Sequence, residues 1–461
     1  MFWSCAAAIA YTGLPFPGAR SAALGTLAVL GFAVSVSAAA PELLVAACGA
    51  SIGQAEILFG PLGIGVTSIR YTVAVGVALF AGVVIRGMFL GESSCRPRLD
   101  IWAVAVAALS VAIIGQIAFR RTWIPGDLLL MQYLSFGLFS SVWIWWGYLS
   151  TVPDISRTVG RVVIVSAWIK GLGLALNVVA SSASLRPLLD FRSDFWTVQG
   201  GRLTLGDFNQ ITIAMEFAVP IVVTCLAFVY RSDVGLMARV LVSLVAVQFT
   251  ALMIATGTRQ ALIGLLAAGY VVHRISRQKA RIVGWGTVLA LILVTALLPL
   301  VEDALGPLGS RVMRRREGFG DDSASLVFSR GRANVLLEDT MIALSSPLLG
   351  KGVGFSSVNN RAKPNPSHNL FASVAVEVGI LPAALLAACV FSAWRAAESL
   401  ARRSPAGPRE QFVVAACSGL FVSNLVWSLA SGRLEAGLPW FCWGLALALM
   451  AARQWRTVGQ Q

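Results

Sequence analysis

Long apolar runs separated by short polar interruptions dominate the chain. A membrane-crossing helix needs about 20 predominantly apolar residues. Runs of that kind lie at 24–40, 43–59, 66–90, 101–119, 128–150, 159–180, 207–230, 236–256, 259–274, 282–301, 368–397, 410–430 and 434–453, the second and ninth being short. The stretch from Met1 to Leu14 is also apolar, but Pro15 and Pro17 cut it off, and no cleavage site of signal-peptide type follows it. The pattern therefore predicts an all-α polytopic membrane protein with about 12, and up to 14, spans. It has one long polar interruption, 302–367. The chain divides into 1–301, this loop with short helices inside it, and 368–461, all within a single membrane domain.

Composition reinforces that reading. Hydrophobic residues make up 57% of the 461 positions and charged residues 13%, against roughly 25% charged in a soluble globular protein. So few charges cannot cover a water-facing surface. Seven cysteines occur, mostly inside apolar runs, with no CxxC and only two histidines. Neither a disulfide framework nor a Cys/His zinc cluster is expected.

The charge pattern sets an orientation. Lys+Arg number 36 against 22 Asp+Glu, and only Lys170, Lys279, Lys351 and Lys363 are lysines. Basic loops face the cytoplasm. Arg274, Arg277, Lys279 and Arg281 follow the ninth run, and Arg395, Arg402, Arg403 and Arg409 follow the eleventh. Taking both as cytoplasmic puts 302–367 outside, with Arg157–Arg161, Arg231–Arg239 and the C-terminal Arg453 and Arg456 inside; only Arg120–Arg121 disagrees. The loop 183–206, the turn 256–259 and the long loop ending at His368 then share the outer face. Nucleotides are not supplied there, so a transferase on that face needs a lipid-linked activated donor.

Few residues on that face can do chemistry. His368, in PNPSHNLF, stands where the polar loop meets an apolar run and is flanked by Ser367 and Asn369. The bland alternative is a helix-capping or loop histidine. An imidazole titrating near ~6.5 is the natural neutral-pH base for a hydroxyl. His273, among arginines at a cytoplasmic helix end, reads as interfacial. Arg259, in IATGTRQALIGLL, sits at a break that Gly257 favours; it either snorkels to headgroups or clamps an anion. Arg202, in GGRLTLGDFNQ, either pairs with Asp207 or forms a second clamp. Arg311 and Arg314–Arg316 form a charge run that reads as a solvated or headgroup-binding face. Arg330 and Arg332, in SRGRANVLLED, open a predicted helix whose N-terminus favours an anion. Gly318–Asp321 resembles an intramembrane-protease string, but lies in a polar loop, and GKGVGF fits no phosphate-binding loop.

Four segments in order resemble the O-antigen ligase and polymerase superfamily of bacterial inner-membrane glycosyltransferases. GGRLTLGDFNQ matches an Arg-x3-Gly-x2-Asn segment from Arg202 to Asn209. TGTRQALIG matches a helix-opening segment at Arg259. SPLLGKGVGF matches a glycine-rich turn of the large loop, and His368-Asn369 followed by nine residues and Gly379 matches the ligase form His-Asn-x9-Gly. Two departures stand out: Pro382 replaces the usual Gly, Thr or Tyr, and no proline precedes Asn209. The resemblance spans roughly 200–382.

It implies a fold of the GT-C type and an inverting transferase without metal or other cofactor. The donor would be an undecaprenyl-pyrophosphate-linked glycan and the acceptor lipid A–core, on the periplasmic face of the inner membrane. By this resemblance Arg202 and Arg259 hold the pyrophosphate and His368 is the base, with Asn209, Arg332, Asn369 and Glu377 as supporting candidates. A carboxylate inside a span, such as Glu377, is a functional candidate by default. Membrane lipids are the other expected partners, and nucleic acid is not one. A polymerase of the same superfamily is the nearest alternative. A lipid-linked-oligosaccharide flippase fits less well, because no internal repeat is apparent and the candidate residues gather on one face.

Overall fold

The computed structural model describes residue 108 and residues 157–165, 167–168, 196–199, 202–205, 213–255, 258–276, 330–352, 354–356, 367–402 and 407–430. Apart from one hairpin it is helical. Strands β1 (Trp196–Gln199) and β2 (Arg202–Leu205) pair antiparallel, with Gln199 opposite Arg202. The helices are α1 (Val219–Val229), α2 (Leu236–Ala255), α3 (Arg259–Ile275), α4 (Arg330–Ser345), α5 (Leu370–Glu377), α6 (Ile380–Arg402) and α7 (Pro408–Ala430). Among the described residues, α2 and α7 hold the two segments long and apolar enough to cross a membrane, Leu236–Ile254 and Pro408–Leu429. The expected runs 207–230, 259–274 and 368–397 are described as α1, α3 and the pair α5 and α6; the remaining expected spans lie wholly or largely outside the described residues, apart from a helical stretch at 157–165.

Local chemistry sets the element boundaries. Pro220, at the start of α1, cannot supply the N–H that would continue the ladder behind it. The preceding turn, Ile213–Ala218, is wound as a π-helix. α1 is apolar all round and buried along most of its length. Between α2 and α3, Thr258 is extended, with φ −90° and ψ 99°; the expected break near Gly257 is present. At the other end of α3, the Ser276 N–H and hydroxyl both donate to the Val272 carbonyl, at 3.0 and 2.7 Å.

α7 is the axis of the described core. It packs most extensively on α3 and is also flanked by α1, α5 and α6. Small residues permit the approach: a Cβ on Gly264 of α3 would lie 3.5 Å from the Ser423 carbonyl of α7. A Cβ on Gly160 would lie 3.0 Å from Val413 of α7, which brings the 157–165 helix onto the same axis. α2 is peripheral, and Leu236, Met237, Val240, Leu241 and Leu244 project outward.

The end of the core bearing His273 is fastened by polar contacts. Arg231 pairs through two nitrogens with Asp233 and lies over the rings of Phe228 and Phe412, 5.4 and 5.8 Å from their centroids. The Arg231 guanidinium holds the exposed Asp233 carboxyl below its usual range. His273 Nδ1 lies 3.2 Å from the Tyr230 hydroxyl, and Arg274 lies 3.8 Å from Glu398 of α6.

The expected continuous span 368–397 is corrected by the structure. It is two helices, α5 and α6, parted at Val378–Gly379. Gly379 has φ +119°, which ends α5 with a left-handed residue, and its N–H donates to the Val374 carbonyl at 3.2 Å. The expectation that Arg330 and Arg332 open a helix is met by α4.

Candidate functional site

The site is built around the start of α5. Asn369 is its N-cap: Oδ1 accepts from the N–H groups of Phe371 (2.9 Å) and Ala372 (3.2 Å). Its Nδ2 donates to the Leu429 carbonyl at 3.2 Å, at the last turn of α7, where helical carbonyls lack partners within the helix. One amide thus closes the start of one helix and the end of another. On the other side of His368, the buried Ser367 donates its hydroxyl to Asp339 of α4 at 2.9 Å and its N–H to the Ser356 carbonyl at 3.3 Å. Both neighbours of His368 are therefore fixed, and His368 itself is half-buried. The capping duty belongs to Asn369, not to the histidine.

A buried carboxylate secures the other end of α5. Glu377 Oε1 accepts from the Ser356 N–H at 3.1 Å and from the Ser356 hydroxyl, whose oxygen lies 2.6 Å from the Ser373 hydroxyl. Ser356 has one hydroxyl proton, so donating it to Glu377 makes it the acceptor from Ser373. The segment before Ser356 caps the last carbonyls of α5, with Lys351 N–H donating to Val376 (2.7 Å) and Gly352 N–H to Glu377 (3.0 Å). Here the glycines are needed: Gly350 has φ +62°, and a Cβ there would lie 2.4 Å from the Glu377 carbonyl.

The arginines are placed less completely. Arg259 is the first residue of α3, and its side chain lies outside the described groups. The helix register still locates that end. Gly264 of α3 meets Ser423 of α7, while Val272 and Ala268 meet Gly419, so the two helices run antiparallel. Five residues beyond the Gly264–Ser423 contact, about 7.5 Å along each axis, come Arg259 on α3 and Ser428 on α7. The next residue of α7 is Leu429, which accepts from Asn369. The start of α3 and His368 thus stand at the same end of the core. Arg202 lies in β2 and Arg332 in the first turn of α4, both with side chains outside the described groups, and Asn209 lies outside the described residues. Among the described residues no three His, Cys, Asp or Glu side chains gather as a metal site requires.

Residues 241–387 match the family described as O-antigen ligase. This segment resembles that family. No curated protein matches the chain. The matched segment includes Arg259, Arg332, His368, Asn369 and Glu377, and it ends inside α6; Arg202, Asn209 and the axial helix α7 lie outside it. The family and the two long apolar helices together mark a membrane protein.

Sequence reasoning missed three members of this site. Ser373 stands four residues before Glu377, one helical turn away in an apolar run, which is a readable signal for a polar pair on one face. Ser356 follows the glycine-rich turn with no such spacing. Asp339 sits in the mixed sequence LLEDTM, where nothing distinguishes it from a solvated acid. The hairpin was also missed by the all-α expectation, although Gly200-Gly201 between WTVQ and RLTL is a two-residue loop signal.

Proposed function

We propose that this protein is an O-antigen ligase, an inverting glycosyltransferase that moves a glycan from undecaprenyl pyrophosphate to lipid A–core at the periplasmic face of the inner membrane. The observation carrying this reading is the fixed Ser367–His368–Asn369 segment, at the same end of the core as the start of α3, within the segment that matches the O-antigen ligase family. His368 takes the proton from the acceptor hydroxyl as its oxygen attacks the anomeric carbon. The bond from that carbon to the pyrophosphate breaks, with inversion. Arg202 and Arg259 stabilise the charge that develops on the leaving group, which fixed guanidinium groups do without reorganising. Asn369 and Glu377 act through the backbone, holding α5 and hence His368 in place, and Arg332 adds positive charge at the start of α4.

Polymerisation of lipid-linked repeats uses the same chemistry with a different acceptor, and Pro382, at a position where the ligase form carries Gly, Thr or Tyr, is the observation favouring it. A lipopolysaccharide gel from a deletion strain separates the two. Bare core with glycan retained on the lipid carrier is expected for a ligase, and core bearing a single repeat would make it a polymerase. Complementation with His368→Ala is expected to lose at least ~10²-fold in product, the usual contribution of a general base, at normal membrane abundance. Arg259→Lys should retain more activity than Arg259→Ala. A His368→Ala ladder equal to wild type would overturn the assignment.

A further inference from the structure

α4 has two unlike faces. Its Asp339 and Ala343 are buried, on the side that holds Ser367 and packs on α5. Opposite them, Leu337, Met341 and Leu344 recur at helical spacing and are 68%, 63% and 60% exposed. This stripe continues past the helix. Leu348 and Leu349 are exposed too, and the Pro347 carbonyl accepts from the Ile380 N–H at 2.7 Å, joining the stripe to the start of α6. There Leu381 and then Phe391 continue it on the outward face of α6, which runs on to Glu398 beside Arg274 at the opposite end of α3. The exposed face of α4 is thus continuous with the outward apolar face of a helix that runs the length of the core. Arg330 and Arg332, in the first turn of α4, supply cations suited to lipid phosphates.

We infer that α4 is an interfacial helix: its Leu337–Met341–Leu344 face lies in the headgroup–acyl boundary of the membrane on the His368 side, with phospholipid against it. A polar-loop helix that could have stood free in water is instead part of the membrane-bound surface. Through Asp339 and Ser367, α4 then ties His368 to the depth of the lipid phosphates. The value of that depth for a lipid-linked substrate rests on the ligase reading; the placement of α4 does not.

Photo-crosslinking tests it. p-Benzoylphenylalanine is placed singly at Leu337, Met341 or Leu344 in the full-length chain. The protein is reconstituted in phosphatidylethanolamine–phosphatidylglycerol vesicles containing radiolabelled phospholipid. Phe391 serves as the lipid-facing reference and Arg409 as the water-facing one. Transfer of label at the α4 positions is expected to match that at Phe391 and to exceed that at Arg409 several-fold. Label no higher than at Arg409, or adducts at the mass of two chains, would overturn the inference. The readout is position and not turnover, so its failure and failure of the ligase assignment are distinguishable, and three positions guard against one variant misfolding.

Discussion

At the scale of single residues, Asn369 does work that its neighbour His368 could have been assigned. Its carbonyl oxygen caps α5 while its amide nitrogen reaches α7, so two substitutions separate the two contacts. Asn369→Asp keeps the cap acceptor but cannot donate to Leu429; Asn369→Ala loses both. Loss of an N-cap costs about 0.5–2 kcal/mol, and loss of an ordinary hydrogen bond about 0.5–1.5 kcal/mol. Thermal midpoints in detergent should therefore fall in the order wild type, Asn369→Asp, Asn369→Ala. Equal midpoints for the two variants would mean that the cap contributes nothing, and a midpoint for Asn369→Asp equal to wild type would mean the same of the contact with α7. The pairing of histidine with asparagine was legible in the string SHN, but the division of labour was not. It depends on where the end of α7 lies, 60 residues away in the chain.

At the scale of elements, the device that shapes the site is the turn of the glycine-rich segment against the end of α5. Gly350 and Gly379 both have positive φ, and their added Cβ atoms would lie 2.4 and 2.5 Å from backbone atoms of the facing segment. Backbone cannot swing aside as a side chain does. Gly350→Ala and Gly379→Ala are each expected to cost more than about 1 kcal/mol. Gly407→Ala, with nothing within 4 Å, should stay within about 1 kcal/mol of wild type. Thermal midpoints with Gly407→Ala as reference check this, and equal losses at all three would remove the close approach as the reason for the glycines. α2, α3 and α7 could be read from the sequence because length and apolarity alone define them. The break between α5 and α6 could not be read that way, since the apolar run continues through it. Its signal was Gly379 followed by Pro382, the helix-stop pattern of glycine with proline shortly after, which counting apolar residues overrides.

At the scale of the whole molecule, α7 transmits packing at the middle of the core to the site at its end. Gly419 faces α1 and α3 together, and a Cβ there would lie 2.8 Å from methyl groups of both Val223 and Val272. Valine is stiff about χ1, and these two close on Gly419 from different helices, so neither yields freely. Overpacking of this kind costs about 1–3 kcal/mol, relieved in part by moving α7. Leu429, which anchors Asn369, lies on the same helix about 15 Å further along. Gly419→Ala is therefore expected to lower both the thermal midpoint and transferase output, although it touches no candidate site residue. Adding Val272→Ala makes room for the new methyl. The double variant should recover part of both losses, giving a favourable coupling of the kind expected for residues in contact. Stability recovered without activity would mean that α7 does not position the site. If the two substitutions add independently, the close packing of α3 on α7 is not what Gly419 serves.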